Sequence, residues 1–150
     1  MTVNPGSRNA TAARSPVRTA ALAVSVVFLL VGVLGFIPGI TTDYSEMAFA
    51  GHHSDAHLLG IFQVSILHNI VHLLFGVAGL ALARTFDGAR TFLIGGGAVY
   101  LVLWLYGLVI SEDTAANFVP VNNADDWLHF FLGVGMIALG LLLGRRTTTR

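Results

Sequence analysis

Four apolar stretches, at about residues 17–37, 58–83, 91–110 and 127–143, set the terms for any fold of this chain. Apart from Arg18 at the edge of the first, none contains Asp, Glu, Lys or Arg. Crossing about 30 Å of hydrocarbon at about 1.5 Å per residue takes roughly 20 mostly apolar residues. Each stretch is therefore long enough for one spanning helix. A soluble domain carries about 25% charged residues, whereas this chain of 150 residues has 11% charged, 55% hydrophobic and a mean hydropathy of +0.75. The expectation is an all-α integral membrane protein, a bundle of four transmembrane helices whose first partner is the lipid bilayer of the cell membrane.

The net charge of zero hides a separation by side. All 8 basic residues are arginine. Arg8, Arg14 and Arg18 precede the first span, Arg84 and Arg90 flank the turn between the second and third, and Arg145, Arg146 and Arg150 follow the fourth. Asp43, Glu46, Asp55, Glu112, Asp113, Asp125 and Asp126 fall on the opposite side, and only Asp87 joins the arginines. Because cytoplasmic flanks of short-looped membrane proteins are enriched in Lys and Arg, both termini are expected in the cytoplasm. No basic field is present to hold a nucleic acid by counterion release.

Residues 1–16 have no apolar period and read as a disordered cytoplasmic arm; residues 17–144 form the membrane domain and 145–150 a cytoplasmic tail. The first span is expected to remain as an anchor. Its apolar core is longer than a signal-peptide h-region of about 7–15 residues, and Ala48-Phe49-Ala50, which resembles a cleavage site, lies far beyond it. The outer connections, about 38–57 and 111–126, are polar and end in helix-start residues. Ser54 is expected to cap the second helix and Asn123 the fourth, with Asp125 and Asp126 in a first turn where the helix dipole favours carboxylates.

In lipid, helices associate through close backbone approach and interhelical hydrogen bonds, so small residues at helical spacing mark contact faces. Such stripes are Ser25, Gly32 and Gly35; Ser65, Asn69, His72, Gly76 and Gly79; and His129, Gly133, Gly140 and Gly144. Gly95-Gly96-Gly97 lacks the Lys-Ser/Thr of a phosphate loop and reads as packing.

Polar side chains in the second stretch, Gln63, His68, Asn69 and His72, cost free energy in hydrocarbon unless they face the bundle. His68 and His72 are one turn apart and share a face. Counting from the boundary arginines, His68 lies 16 residues before Arg84, His129 16 before Arg145 and Tyr106 16 after Arg90. That places all three at one level, roughly 24 Å above the arginines. Three readings fit this layer. It can be a hydrogen-bonded network of His68, Asn69, His72, Tyr106 and His129 that holds the helices in register. It can be a transition-metal site of His68, His72 and His129 completed by Asp125 or Asp126. Or it can hold haem or a quinone, with His68 and His129 as axial ligands. A second group, His52, His53, Asp55 and His57, lies in the first outer connection and reads as solvated.

Several activities lack their residues. His68-Asn69-Ile70-Val71-His72 has the spacing of a zinc-protease helix without the glutamate that supplies its base. No G-x-S-x-G elbow is present, and no span carries the carboxylate a proton-coupled exporter needs. With 0 cysteines there is no disulfide, iron–sulfur ligation or C-x-x-C-H haem attachment. The balance leans away from an enzyme and assigns no catalytic residue.

The run 59–76, containing Leu67-His68-Asn69-Ile70-Val71-His72, together with Asn117-Phe118-Val119-Pro120-Val121-Asn122 and Asp125-Asp126-Trp127-Leu128-His129, resembles a bacterial four-helix membrane family known only as a domain of unknown function. The resemblance covers about 17–144. It places Gly60, Phe62, His68, Asn69, His72, Gly76, Asn117, Pro120, Asn122, Asp125, Trp127 and His129 on family positions, with Asp126 a small departure. It implies a fold and a membrane location but no activity. It also draws attention to Asn117, Pro120, Asn122, Asp125 and Trp127 as an outer-loop lid over the histidine layer, with Trp127 at the membrane interface. The resulting expectation is a multi-pass protein, structural or accessory to a membrane assembly, partnered by another membrane protein or by its own copies. The alternative is a haem-, quinone- or metal-binding protein using His68, His72 and His129.

Overall fold

The computed structural model describes residues 15–110, 114, 116–118 and 122–145. Its helices are α1 (Pro16–Leu34), α2 (Ile66–Leu82), α3 (Phe86–Val109) and α4 (Asn123–Leu143). Three of them, α1, α3 and α4, are long and apolar enough to cross a membrane, while α2 is apolar but has 17 residues. Local chemistry accounts for each start. Pro16 occupies the first turn of α1, where its missing N–H costs nothing. Thr85 caps α3 by accepting from Gly88 N at 3.0 Å.

Two expected caps sit elsewhere. Ser65, not Ser54, caps α2, its hydroxyl accepting from His68 N at 3.1 Å. Asn122, not Asn123, caps α4; its side chain accepts from Asp125 N at 3.0 Å, while Asp125 accepts from Asn122 N at 3.1 Å. This reciprocal box satisfies two N–H groups that a helix start otherwise leaves orphaned.

The second apolar stretch is the largest departure from expectation. Residues 58–65 are not helical, and the protein is mostly rather than wholly α. Strands β1 (Thr41–Thr42), β2 (His57–Leu58) and β3 (Phe62–Gln63) form a small antiparallel sheet in the order β1-β2-β3. Leu59 and Gly60, between β2 and β3, both have left-handed backbones, with φ of 55° and 69°, which no α-helix accommodates. Gln63 and His57 therefore belong to the sheet and not to a helix.

This sheet and its loops form a cap at the end of the bundle away from the arginines, termed the outer end for that reason alone, with its own apolar centre, Ala56, Leu58 and Val64, packed against Val31 and Leu34 of α1. Thr41 lies under the end of α1, where its hydroxyl is 3.2 Å from the carbonyls of both Leu34 and Gly35. Ser54, displaced from the capping role, donates to Val64 O at 2.6 Å and accepts from Ala48 N at 3.1 Å. The cap also serves α2, because Ile66 N and Leu67 N donate to the carbonyls of Ala48 and Phe49.

The helices pack chiefly as two pairs, α1 with α2 and α3 with α4, and contact between the pairs is thinner. All the small residues of the three stripes are buried. At Gly97 and Gly133 the backbones of α3 and α4 meet so closely that a Cβ on Gly97 would stand 2.7 Å from Gly133 O, and one on Gly133 2.9 Å from Gly97 O. On the other pair, a Cβ at Gly76 would meet the Leu29 side chain at 2.7 Å and Ser25 O at 2.9 Å. Toward the arginine side, Val17, Ala21, Phe92, Leu93 and Met136 contribute to the apolar core that joins the pairs.

Candidate functional site

Thin contact between the pairs leaves a cleft in the outer half, since α2 and α4 scarcely meet through their backbones. Aromatic rings and imidazoles bridge it. His68 and His72 stack with centroids 4.6 Å apart and planes within 10°. His72 contacts Phe28 of α1 at 5.6 Å, Phe28 stacks on Tyr100 of α3 at 5.3 Å, and Tyr100 meets His129 of α4 edge-on at 5.2 Å. One continuous row of five rings thus draws on all four helices.

Hydrogen bonds orient parts of this row. His72 Nδ1 lies 3.1 Å from His68 O, the i−4 carbonyl of its own helix. A carbonyl can only accept, so Nδ1 carries the proton, and Nε2 of the neutral ring remains an acceptor. His129, 4% exposed, has its Nδ1 buried without a hydrogen-bond partner among the described residues. A buried polar atom of this kind costs about 1–3 kcal/mol unless something satisfies it.

Two cavities flank the imidazoles. One, of about 40 Å³, is lined by His68, Val71, His72, Tyr100, Leu103, Tyr106 and His129. The other, of about 110 Å³, lies toward the cap and is lined by the same three histidines with Val31, Leu34, Leu58, Val64, Asp125 and Leu128 among others. A water needs roughly 10–15 Å³ of such space, and drug-sized ligands occupy about 300–1,000 Å³. Both cavities suit water or a small polar group, and neither has room for a haem macrocycle.

The structure separates the residues expected in the polar layer. His68, His72, Tyr106 and His129 share the smaller cavity. Asn69 does not join them. It is fully buried against α1, where its amide fills the space a side chain at Gly35 would need, and its Nδ2 is 4.0 Å from Met47 Sδ. Tyr106 donates its hydroxyl proton to Ala116 O, tying α3 to the second outer connection.

Asp125, 2% exposed, faces the larger cavity and also accepts from Gln63 N at 3.0 Å, so the first turn of α4 is bonded to β3. Among the described residues no three His, Asp or Glu side chains converge in a way that could hold a metal ion. The described part of the second outer connection is knitted into the cap: Asn122 donates to Ile61 O at 2.8 Å, and Gly51 N donates to Phe118 O at 2.6 Å. Asn117 is buried there, and its N–H donates to Thr114 O at 2.9 Å. Pro120 lies outside the described residues. Trp127 is half exposed and packs against Phe130 and Phe131. In the other histidine group, His52 and His53 contact each other at 3.8 Å and His57 Nδ1 lies 2.8 Å from Asp55 O.

Sequence reasoning missed Tyr100 and Phe28, the two rings that connect the pairs. A signal for Tyr100 was present. It stands 10 residues beyond Arg90, close to the depth of His72, which is 12 residues before Arg84.

Apolar helices of spanning length around a buried polar cleft define a membrane-embedded helical protein. Within that class, the chain belongs to the family described as Domain of unknown function (DUF4383), whose model matches residues 18–142. Comparison with curated proteins and comparison with solved structures each found no match.

Proposed function

We propose that the protein is a non-enzymatic, multi-pass membrane protein, structural or accessory to a larger membrane assembly, in which the imidazole and aromatic row fixes two helix pairs beneath a shaped outer cap. One observation carries this reading: the row His68–His72–Phe28–Tyr100–His129 draws a member from every helix. Aromatic pairs of this kind contribute about 0.5–1.5 kcal/mol each beyond their buried area. His129→Ala is expected to destabilise the protein by about 2 kcal/mol, read as a lower melting temperature in detergent. Unchanged melting would remove the structural role.

The arginine distribution supports four crossings with both termini in the cytoplasm, α2 completing its crossing with the chain that leads into it. The chain has no cysteine, so Ser45→Cys in the cap supplies a single label site. It is expected to react with an impermeant maleimide added outside intact cells, and labelling only after lysis would reverse the orientation. The partner in this reading is another membrane protein or a second copy, and cross-linking from the cap in native membranes is expected to give one discrete product.

A second reading has a specific observation in its favour. His129 Nδ1, without a hydrogen-bond partner among the described residues and beside the paired cavities, supports a small hydrogen-bonding ligand, such as the carbonyl of a quinone head group entering from the lipid. Organic extraction of the purified protein followed by mass spectrometry distinguishes the two readings. A stoichiometric quinone lost in His129→Ala supports the second, and an extract holding only phospholipid rejects it. The absorption spectrum and elemental analysis of the same sample test haem and metal.

A further inference from the structure

At the opposite end of the bundle from the histidines, a pocket of about 230 Å³ opens between α1 and α2, lined by Arg18, Leu22, Leu80, Ala83 and Arg84. Arg18 is held in place there, its Nε donating to Ala83 O at 3.0 Å. That bond uses one of five guanidinium N–H groups and leaves the terminal nitrogens as donors. No ion pair is formed by Arg18 or Arg84 among the described residues. Two guanidinium groups that pair with no carboxylate among the described residues thus share one concave site, an arrangement that suits the oxygens of a phosphate ester.

Depth selects the source of that phosphate. Arg18 is in the first turn of α1, and Arg84 follows the last turn of α2, so both sit where the spans end and lipid headgroups begin. Leu22 and Leu80 are each four residues further in along their helices and are only partly buried. The pocket is therefore basic at its rim and apolar one turn deeper, matching a phosphodiester joined to a glycerol backbone and acyl chains. A free phosphate ion has nothing to place against the two leucines. We propose that Arg18 and Arg84 form a binding site for an anionic phospholipid of the arginine-side leaflet, with the headgroup phosphate between the guanidinium groups and the lipid body along Leu22 and Leu80.

The test uses the full chain in vesicles containing equal phosphatidylglycerol and phosphatidylcholine, extracted into mild detergent and examined by native mass spectrometry for retained lipid. Each pocket arginine that meets the headgroup is expected to contribute about a fivefold preference for anionic lipid, on the order of one basic residue's attraction to it, so retained phosphatidylglycerol is expected to exceed phosphatidylcholine by well over that factor. Arg84→Gln is expected to reduce the preference about fivefold; Arg84 is exposed, so this variant keeps the fold. Arg18→Gln should reduce it as much or more, while Arg145→Gln, outside the pocket, should leave it intact. Equal retention of the two lipids by the native chain, or an equal loss in Arg145→Gln, overturns the site. Stabilisation by inorganic phosphate that depends on Arg84, without selective lipid retention, overturns the lipid assignment in favour of a soluble phosphate.

Discussion

The two halves of the bundle are built on different physical terms. Toward the arginines, the helices meet through glycines and an apolar core, and the packing is governed by shape: Gly97 against Gly133, Gly76 against Leu29 and Ser25. In the outer half, histidines, an asparagine and aspartates join the glycines, with Asn69 filling the space beside Gly35 and Asp126 that beside Gly107, and a sheet-bearing cap closes the end. Here the packing is governed by partners, because each buried polar group needs a mate. The contrast teaches that a bundle in lipid, lacking a hydrophobic drive between its helices, can be joined mainly by shape at one end and by polar partners as well as shape at the other.

Substitutions separate these terms, and the largest effect is expected where shape rules. Gly97→Leu forces bulk into the Gly133 backbone and should cost about 3 kcal/mol or more. Poor yield and loss of cooperative melting in detergent are the readouts, and a normally melting Gly97→Leu protein would show that the α3–α4 contact is not tight. In the outer half, Asp125→Ala strands the N–H groups of Gln63 and Asn122 and should cost about 2 kcal/mol. Hydrogen exchange should accelerate at residues 62–64 while the Gly97 region stays protected. Equal acceleration in both places would mean the halves are a single unit. Ser65→Ala, removing only the cap of α2, should cost about 1 kcal/mol and fray the start of that helix without affecting α4.

The shape-governed half was the more legible in sequence. Glycine spacing on apolar helices states its own contact face, and the stripes read from the sequence are buried as expected. The outer half was readable in depth but not in rotation. Counting from arginines put His68, Tyr106 and His129 at one level, and they line one cavity, but the polar layer drawn through them also took in Asn69. One helical position is about 100° of rotation, which turns Asn69 toward Gly35 of α1.

The cap was hidden for a different reason. A continuous apolar run fits a buried strand as well as a helix, and residues 58–65 offered only Leu59-Gly60 and Ser65 as punctuation. Between Ser54 and Ser65, composition makes no choice. The preference is made by Ala48 and Val64, which hold Ser54 in the cap.

The bond from Gln63 N to Asp125 joins residues 62 positions apart, and it has a consequence in time. The sheet emerges from the ribosome after the first helix, but the carboxylate that completes its bonding arrives with the last. Asn122, which takes up Ile61 O, arrives equally late. The cap is therefore a clasp fastened by α4, the last of the four helices in chain order. Nascent chains stopped before α4 should display a protease-sensitive cap, and the finished chain a resistant one. The closed cap is thereby tied to the presence of α4 through two side chains, Asp125 and Asn122.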